Sequence, residues 1–234
     1  HFVGKVQIIN TYMAAHAVPK KYESSNQYLN QVCIPLLKTL ASEGIIDAVD
    51  IFHEQGYFDS TDVQQLFDIA RIFNLDVKSH ADEFNDNKGA ILAAENNALS
   101  TDHLLATKAD GIEALANSNT VATLLPGTGF FLGKPQAKAR EFLDAGVKVA
   151  IASDYNPGSC HCDNVLLVAS LAAPHYGLNI AELWSSITLN AAHALGLRNQ
   201  GAIIPGLAPR FTIFDSENIN SITYNWGKNL ALTY

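Results

Sequence analysis

Short apolar runs rich in β-branched residues alternate along this chain with longer amphipathic stretches. The runs are KVQIINTY (5–12), IDAVDIFH (46–53), LDVKSH (75–80), ALSTDH (98–103), TVATLL (120–125) and VKVAIASD (147–154). They lack clean apolar–polar alternation, as strands do when both faces are buried. Between them, helical periodicity predicts helices over 25–43, 60–73, 86–97, 110–117 and 135–145. Ser25, Ser60 with Thr61, Asp86 and Asp110 stand at their starts as cap-type residues, and Gly44, Asn74 and Gly146 at ends. Helix-length connectors force the strands to pair in parallel. Six consecutive β-α units predict an α/β fold, either a doubly wound sheet or a (β/α)8 barrel. No Gly-x-Gly-x-x-Gly follows any run, so the dinucleotide fingerprint is missing. After Asp154 the pattern changes. Helical stretches at 163–173 and 180–196 precede GAIIPGLAPRFTIFD, which reads as two short β segments around turns, an appendage outside the barrel.

Composition narrows the partners. The 234 residues are 48% apolar, enough for a sizeable core in one large domain or two small ones. A formal net charge of −8 argues against nucleic acid or an anionic membrane as the main partner. Cys33, Cys160 and Cys162 cannot all pair, which makes a reducing, cytoplasmic setting the expectation. The longest apolar stretch, VLLVASLAAP, is about half the roughly 20 residues a membrane-spanning helix needs. The start, HFVGKVQIIN, has no Met and no signal-peptide layout, and reads like the interior of a longer polypeptide.

Unusual polar residues gather at the ends of the predicted strands. His80 ends the third, His103 the fourth and Asp154 the sixth; His53 ends the second, and His16 follows the first. Glu83 lies three residues beyond His80. In parallel α/β folds, catalytic groups come from the C-terminal ends of different strands. Imidazole and carboxylate ligate zinc or ferrous iron and also carry protons. Each residue taken singly also reads as a turn or cap residue; their common position at successive strand ends is what points to a site. CHC at 160–162 has metal-ligand types but no second pair at standard spacing, so free cysteines are the plainer account. His161, His175 and His193 read as ordinary polar positions.

The motifs AAHAVPKKY, SHADEF, STDHLL, VATLLPGTGFFLG, VAIASDYNPGS and TLNAAHALGL, in this order and spacing, resemble the imidazolonepropionases, a family of metal-dependent amidohydrolases. The resemblance extends from Val6 to about Gly227. It implies a (β/α)8 barrel represented here by about strands three to eight, over 1–199, with the remnant of a small β-sandwich at 200–234. It implies hydrolysis of the cyclic amide 4-imidazolone-5-propanoate to N-formimidoyl-L-glutamate, a step of histidine degradation, with one divalent ion, zinc or iron, as cofactor. His80 and Asp154 would be metal ligands. Glu83, His103 and Asp154 would be the catalytic groups. His16, Glu83, Asn156, Gly158 and Ser159 would contact the substrate.

The chain departs from that family in places. The first-strand His-x-His pair, the other two metal ligands, occurs nowhere here, nor do the arginine and tyrosine for the substrate carboxylate. With two of four ligands, this polypeptide by itself is expected to bind metal weakly. His53 stands where the family more often has cysteine and receives no role; Pro209 and Arg210 also depart from the family pattern, away from the site. Two further readings remain open: a guanine- or cytosine-type deaminase of the same superfamily, and a catalytically silent fragment. The expected partners are a small-molecule substrate and, by analogy, a second copy in a homodimer, with no nucleic acid and no membrane.

Overall fold

The computed structural model describes residues 7–232. The chain forms two compact units, divided between Thr120 and Val121. Unit one contains β1 (Thr11–Ala15), α1 (Ser25–Tyr28), a π-helical turn (Leu29–Cys33), α2 (Ile34–Ser42), β2 (Ala48–His53), α3 (Ser60–Ile72), β3 (Asp76–Ala81), α4 (Gly89–Glu95), β4 (Ser100–His103) and α5 (Ala109–Ala116). Unit two contains β5 (Val121–Leu124), α6 (Pro126–Leu132), α7 (Ala139–Asp144), β6 (Val149–Ile151), α8 (Val165–Tyr176), α9 (Ile180–Ile187), α10 (Leu189–Ala194) and α11 (Ile219–Tyr224).

Within unit one, β1 pairs with β2, β2 with β3 and β3 with β4, all in parallel. The register sets Phe52 beside His80 and His80 beside Asp102. Paired residues share a face, so Asp50, Phe52, Lys78, His80, Ser100 and Asp102 lie on one side of these strands. The other side carries Val49, Ile51, Val77 and Ala81 together with Ser79 and Thr101, whose hydroxyls hydrogen-bond at 2.9 Å. Val49, Ile51 and Val77 pack there against Val63, Leu66, Phe67 and Ala70 of α3 and Leu29, Cys33 and Leu37 of the preceding helical stretch. The α3 positions recur at i, i+3, i+4 and i+7, one stripe of a helix. Fully burying a large apolar side chain contributes about 1.5–3 kcal/mol, so this stripe holds the helix to the sheet. Asp59 starts α3: its Oδ1 accepts from the Thr61 and Asp62 backbone N–H groups, and Asp62 accepts in return from the Asp59 N–H. Ser24 caps α1, its Oγ accepting from the Gln27 N–H at 3.1 Å. Both caps sit one residue before the serines expected from the pattern, because the capping residue is the last extended one and the following serine begins the helix. Lys88 and Lys108 hold the capping positions of α4 and α5, with Asp110 in the first turn of α5.

In unit two, β5 and β6 pair in parallel with Leu124 beside Ile151. A bidentate ion pair from Arg140 to Glu182, 3.0 and 2.8 Å, ties α7 to α9. Left-handed Gly44 (φ 66°), Asn74 (φ 54°) and Gly146 (φ 84°) follow α2, α3 and α7, as the pattern predicts. Two features differ from expectation. PGTGFFL forms helix α6, because Pro126 suits a first-turn position that needs no N–H donor. The two β segments expected in 201–215 are turns, with a single antiparallel bridge between Phe214 and Ala231. A lone strand with one bridging partner lacks the neighbours that stabilise a sheet. No helix among the described residues is long and apolar enough to cross a membrane.

Candidate metal centre and active site

The site in unit one is built on a residue that the motif reading passes over. Asp50 lies in mid-β2 between Val49 and Ile51 and is 1% exposed. Its Oδ1 accepts from His16 Nε2 at 2.9 Å and from His80 Nδ1 at 2.8 Å. His16 comes from the turn after β1 and His80 from the end of β3, so one carboxylate on the strand between them holds both rings. The rings meet edge to face with centroids 4.5 Å apart. Burial works to lower the His80 pKa, but the Asp50 carboxylate overrides it and carries the ring up to about 9. Burial would raise the Asp50 pKa; the charges and hydrogen bonds of His80 and His16 instead hold it well below the usual carboxylate range.

His103 ends β4, beside Ala81 in register, on the side of the strand opposite His80. Strand alternation alone would turn its ring away. The backbone turns left-handed there, with φ 77° at His103 and 60° at Leu104. For non-glycine residues this conformation is strained, and strain of this kind concentrates at functional sites. The His103 ring centroid lies 5.3 Å from that of His80, and its Nε2 lies 3.7 Å from Glu83 Oε2. The structure thus brings His16, His80, Glu83 and His103 together in one unit, with Asp50 beneath them.

The loop carrying Glu83 is held by two buried carboxylates. Asp82, left-handed at φ 51° and fully buried, accepts from the backbone N–H groups of Asn87, Gly89 and Ala90 and from the Thr107 hydroxyl. Glu54, 3% exposed, accepts from the backbone of Gln55, Phe84 and Asn85 and from the Asn85 and Asn87 side-chain amides. His53 is also buried; its Nδ1 has no partner, and burial lowers its pKa.

Asp154 lies in unit two, left-handed at φ 53° after β6. Its Oδ2 accepts from the Thr128 hydroxyl at 2.5 Å and lies 3.5 Å from Ser159 Oγ. Asn156 folds the following loop: its Oδ1 accepts from the Gly158 and Ser159 N–H groups, both at 2.8 Å, and its Nδ2 donates to the Asp154 carbonyl and to Ser159 Oγ. Asn156, Gly158 and Ser159 therefore form one Asx-type turn next to Asp154. Cys33, Cys160 and Cys162 are free thiols. His161 lies against Tyr155, its Nε2 3.1 Å from the hydroxyl.

His16, Asp50 and His80 each offer a ligand atom, and these lie within 4.8 Å of one another. Two imidazoles and a carboxylate are a donor set that catalytic zinc and non-haem iron sites use. The buried carboxylate on His80 Nδ1 has a further consequence. Metal-bound histidines commonly donate their second ring N–H to a carboxylate, which fixes the tautomer and leaves the other nitrogen as ligand. With Asp50 holding Nδ1 as an outer partner, His80 fits a divalent cation through Nε2. Asp50 carries a sequence signal of its own, since a charge amid AVDIF needs a partner if buried; which partner is not legible locally.

A model of the amidohydrolase family matches residues 59–233. The chain is 41% identical over 227 residues to an imidazolonepropionase of Bacillus velezensis, covering 96% of this chain and 54% of that protein. It is 38% identical over 224 residues to one of Bacillus cereus, covering 95% and 53%. The chain thus spans about half the length of the curated relatives it matches. Among solved structures, a zinc-bound adenosine deaminase from Xanthomonas campestris superposes with a TM-score of 0.71 at 16% identity, over 93% of this chain and 57% of that one. A 5-methylcytosine deaminase from Klebsiella pneumoniae gives 0.71 at 18%, over 92% and 58%. These likenesses show the fold, part of an α/β barrel.

Proposed function

The chain belongs to the amidohydrolase family, and from that premise we propose that it takes part in hydrolysing 4-imidazolone-5-propanoate to N-formimidoyl-L-glutamate. The observation that carries this reading is the Asp50 carboxylate shared by His16 Nε2 and His80 Nδ1, with Glu83 and His103 beside it. The relatives in Bacillus carry the name of that activity.

His80 would be a ligand of the cation, zinc or iron. When bound, the cation supplies Lewis acidity, which makes hydroxide available near neutral pH. The remaining work falls to the chain's own residues. With the cation in place of its Nε2 proton, His80 would keep Nδ1–H on Asp50, which fixes the ring's orientation. His16, its Nε2 committed to Asp50, retains Nδ1 for a polar edge of the substrate. Water adds to the ring carbonyl carbon, and Glu83 takes the proton it gives up. His103 donates to the carbonyl oxygen as negative charge grows on it. The carbon–nitrogen bond then breaks and the departing nitrogen takes up the proton that Glu83 holds. A small molecule is the substrate class throughout.

The test supplies the chain with zinc or ferrous iron and measures N-formimidoyl-L-glutamate formed from imidazolonepropanoate, with guanine and cytosine in parallel. Hydrolysis of imidazolonepropanoate is expected, reduced about 10²–10⁴-fold by Glu83→Gln. Turnover of guanine or cytosine alone would replace this reading with the deaminase one, and no turnover of any of the three would leave the silent reading.

A further inference from the structure

We propose that Glu54 is a positioning residue for Glu83: its buried carboxylate clamps the loop that follows Glu83 and so sets where that side chain reaches. The inference rests on the role given to Glu83 above.

Glu54 stands one residue beyond β2, while Glu83 stands two residues beyond β3. A carboxylate at a strand end usually faces solvent. This one is 3% exposed and accepts five hydrogen bonds. Four of the five come from residues 84–87. Oε2 takes the Phe84 N–H at 2.9 Å and the Asn85 N–H at 3.4 Å, the two amides directly after Glu83. Oε1 takes Asn85 Nδ2 at 3.1 Å and Asn87 Nδ2 at 2.7 Å. On the other side of Glu83, Asp82 is anchored by Gly89, Ala90 and Thr107. The loop carrying Glu83 is therefore fixed from both sides by carboxylates with no water-facing surface to spare. Its own backbone cannot supply this order, because no helix or strand covers 82–88 and two of its residues, Asp82 and Lys88, are left-handed. Only a full negative charge satisfies so many converging donors; a carboxamide would turn an N–H₂ group against donors at one of the two oxygens. The charge is thus used for geometry, and Glu83 Oε2 stays 3.7 Å from His103 Nε2 as a result. Displacements of about 1 Å at a reacting group lower rates by up to about 10²-fold.

The experiment compares Glu54→Gln with Asp59→Ala in the full chain. Asp59 caps α3 five residues away and touches no part of the 82–88 loop by hydrogen bond, so its loss reports lowered stability alone. In Glu54→Gln, amide hydrogen exchange at Phe84 and Asn85 should rise, the His103 ring resonances should shift, and kcat on imidazolonepropanoate should fall about 10–100-fold with KM changed much less. Asp59→Ala should show none of the three beyond a general loss of stability. Unchanged exchange at Phe84 and Asn85, unshifted His103 resonances, or a kcat loss equal in the two variants would overturn the clamp. Exchange and ring resonances are read without turnover, so they decide the clamp even if the parent chain does not hydrolyse imidazolonepropanoate. That outcome, or full activity in Glu83→Gln, would overturn the proposed function instead.

Discussion

Replacing Asp50 by asparagine isolates what one buried charge does for the candidate site. The substitution keeps the volume and one acceptor oxygen, so the strand packing around a residue 1% exposed is preserved. What changes is the strength of two contacts, 2.9 Å to His16 Nε2 and 2.8 Å to His80 Nδ1. A hydrogen bond to a charged group contributes about 1.5–3 kcal/mol and a neutral one about 0.5–1.5, so the pair weakens by about 2–3 kcal/mol in sum. Part of that loss falls on the orientation and tautomer of His80. Outer partners of a metal-ligating histidine typically matter by about 10–100-fold in affinity, or about 1.4–2.8 kcal/mol, which lies within the same total. The expected result is zinc binding weakened by about 10–100-fold in Asp50→Asn, read by competition with a chromophoric chelator, with circular dichroism confirming an unchanged fold. His80→Ala, run alongside, should bind more weakly still. A chain with Asp50→Asn that binds zinc as tightly as the parent, while His80→Ala does not, would refute the reasoning that Asp50 acts through His80.

Gly89→Ala should destabilise unit one by about 1–3 kcal/mol, seen as a lowered urea midpoint. A methyl group there would lie 2.4 Å from Ala81 Cβ, 3.0 Å from His53 Nδ1 and 3.1 Å from Asp82 Oδ1, none of them the end of a long side chain. Stability should also fall on acidification through Glu54. Burial alone would raise its pKa, but the N–H donors of Phe84, Gln55 and Asn85 hold it below the usual value. Its contribution is therefore complete above the unfolded carboxylate pKa of about 4.3 and lost as pH falls through the lower folded value. Urea midpoints between pH 6 and pH 3 should drop less steeply in Glu54→Gln than in the parent; parallel profiles would contradict the assignment.

The chain order of strands and helices was legible because it depends on local patterns. Apolar runs of strand length, helical stripes such as Val63–Leu66–Phe67–Ala70, and left-handed Gly44, Asn74 and Gly146 can each be read within a few residues. The gathering of His16, His80, Glu83 and His103 was legible in part, because a parallel sheet brings successive strand ends to one side. Errors fell where local rules compete. The caps moved by one residue to Ser24 and Asp59, and 201–215 found only one bridging partner for a β segment. What the tertiary structure alone decided was the use of Asp50 and Glu54. Asp50 reads locally as an intrusion in a strand and Glu54 as a solvated loop residue. Parallel register set Asp50 between two rings drawn from positions 34 residues before it and 30 residues after it, and Glu54 against backbone amides 30 and 31 residues away. Hydrogen bonds that join strands so distant in sequence leave no periodic trace in either one, because each partner's residue type satisfies many local roles and only the closed contact selects one.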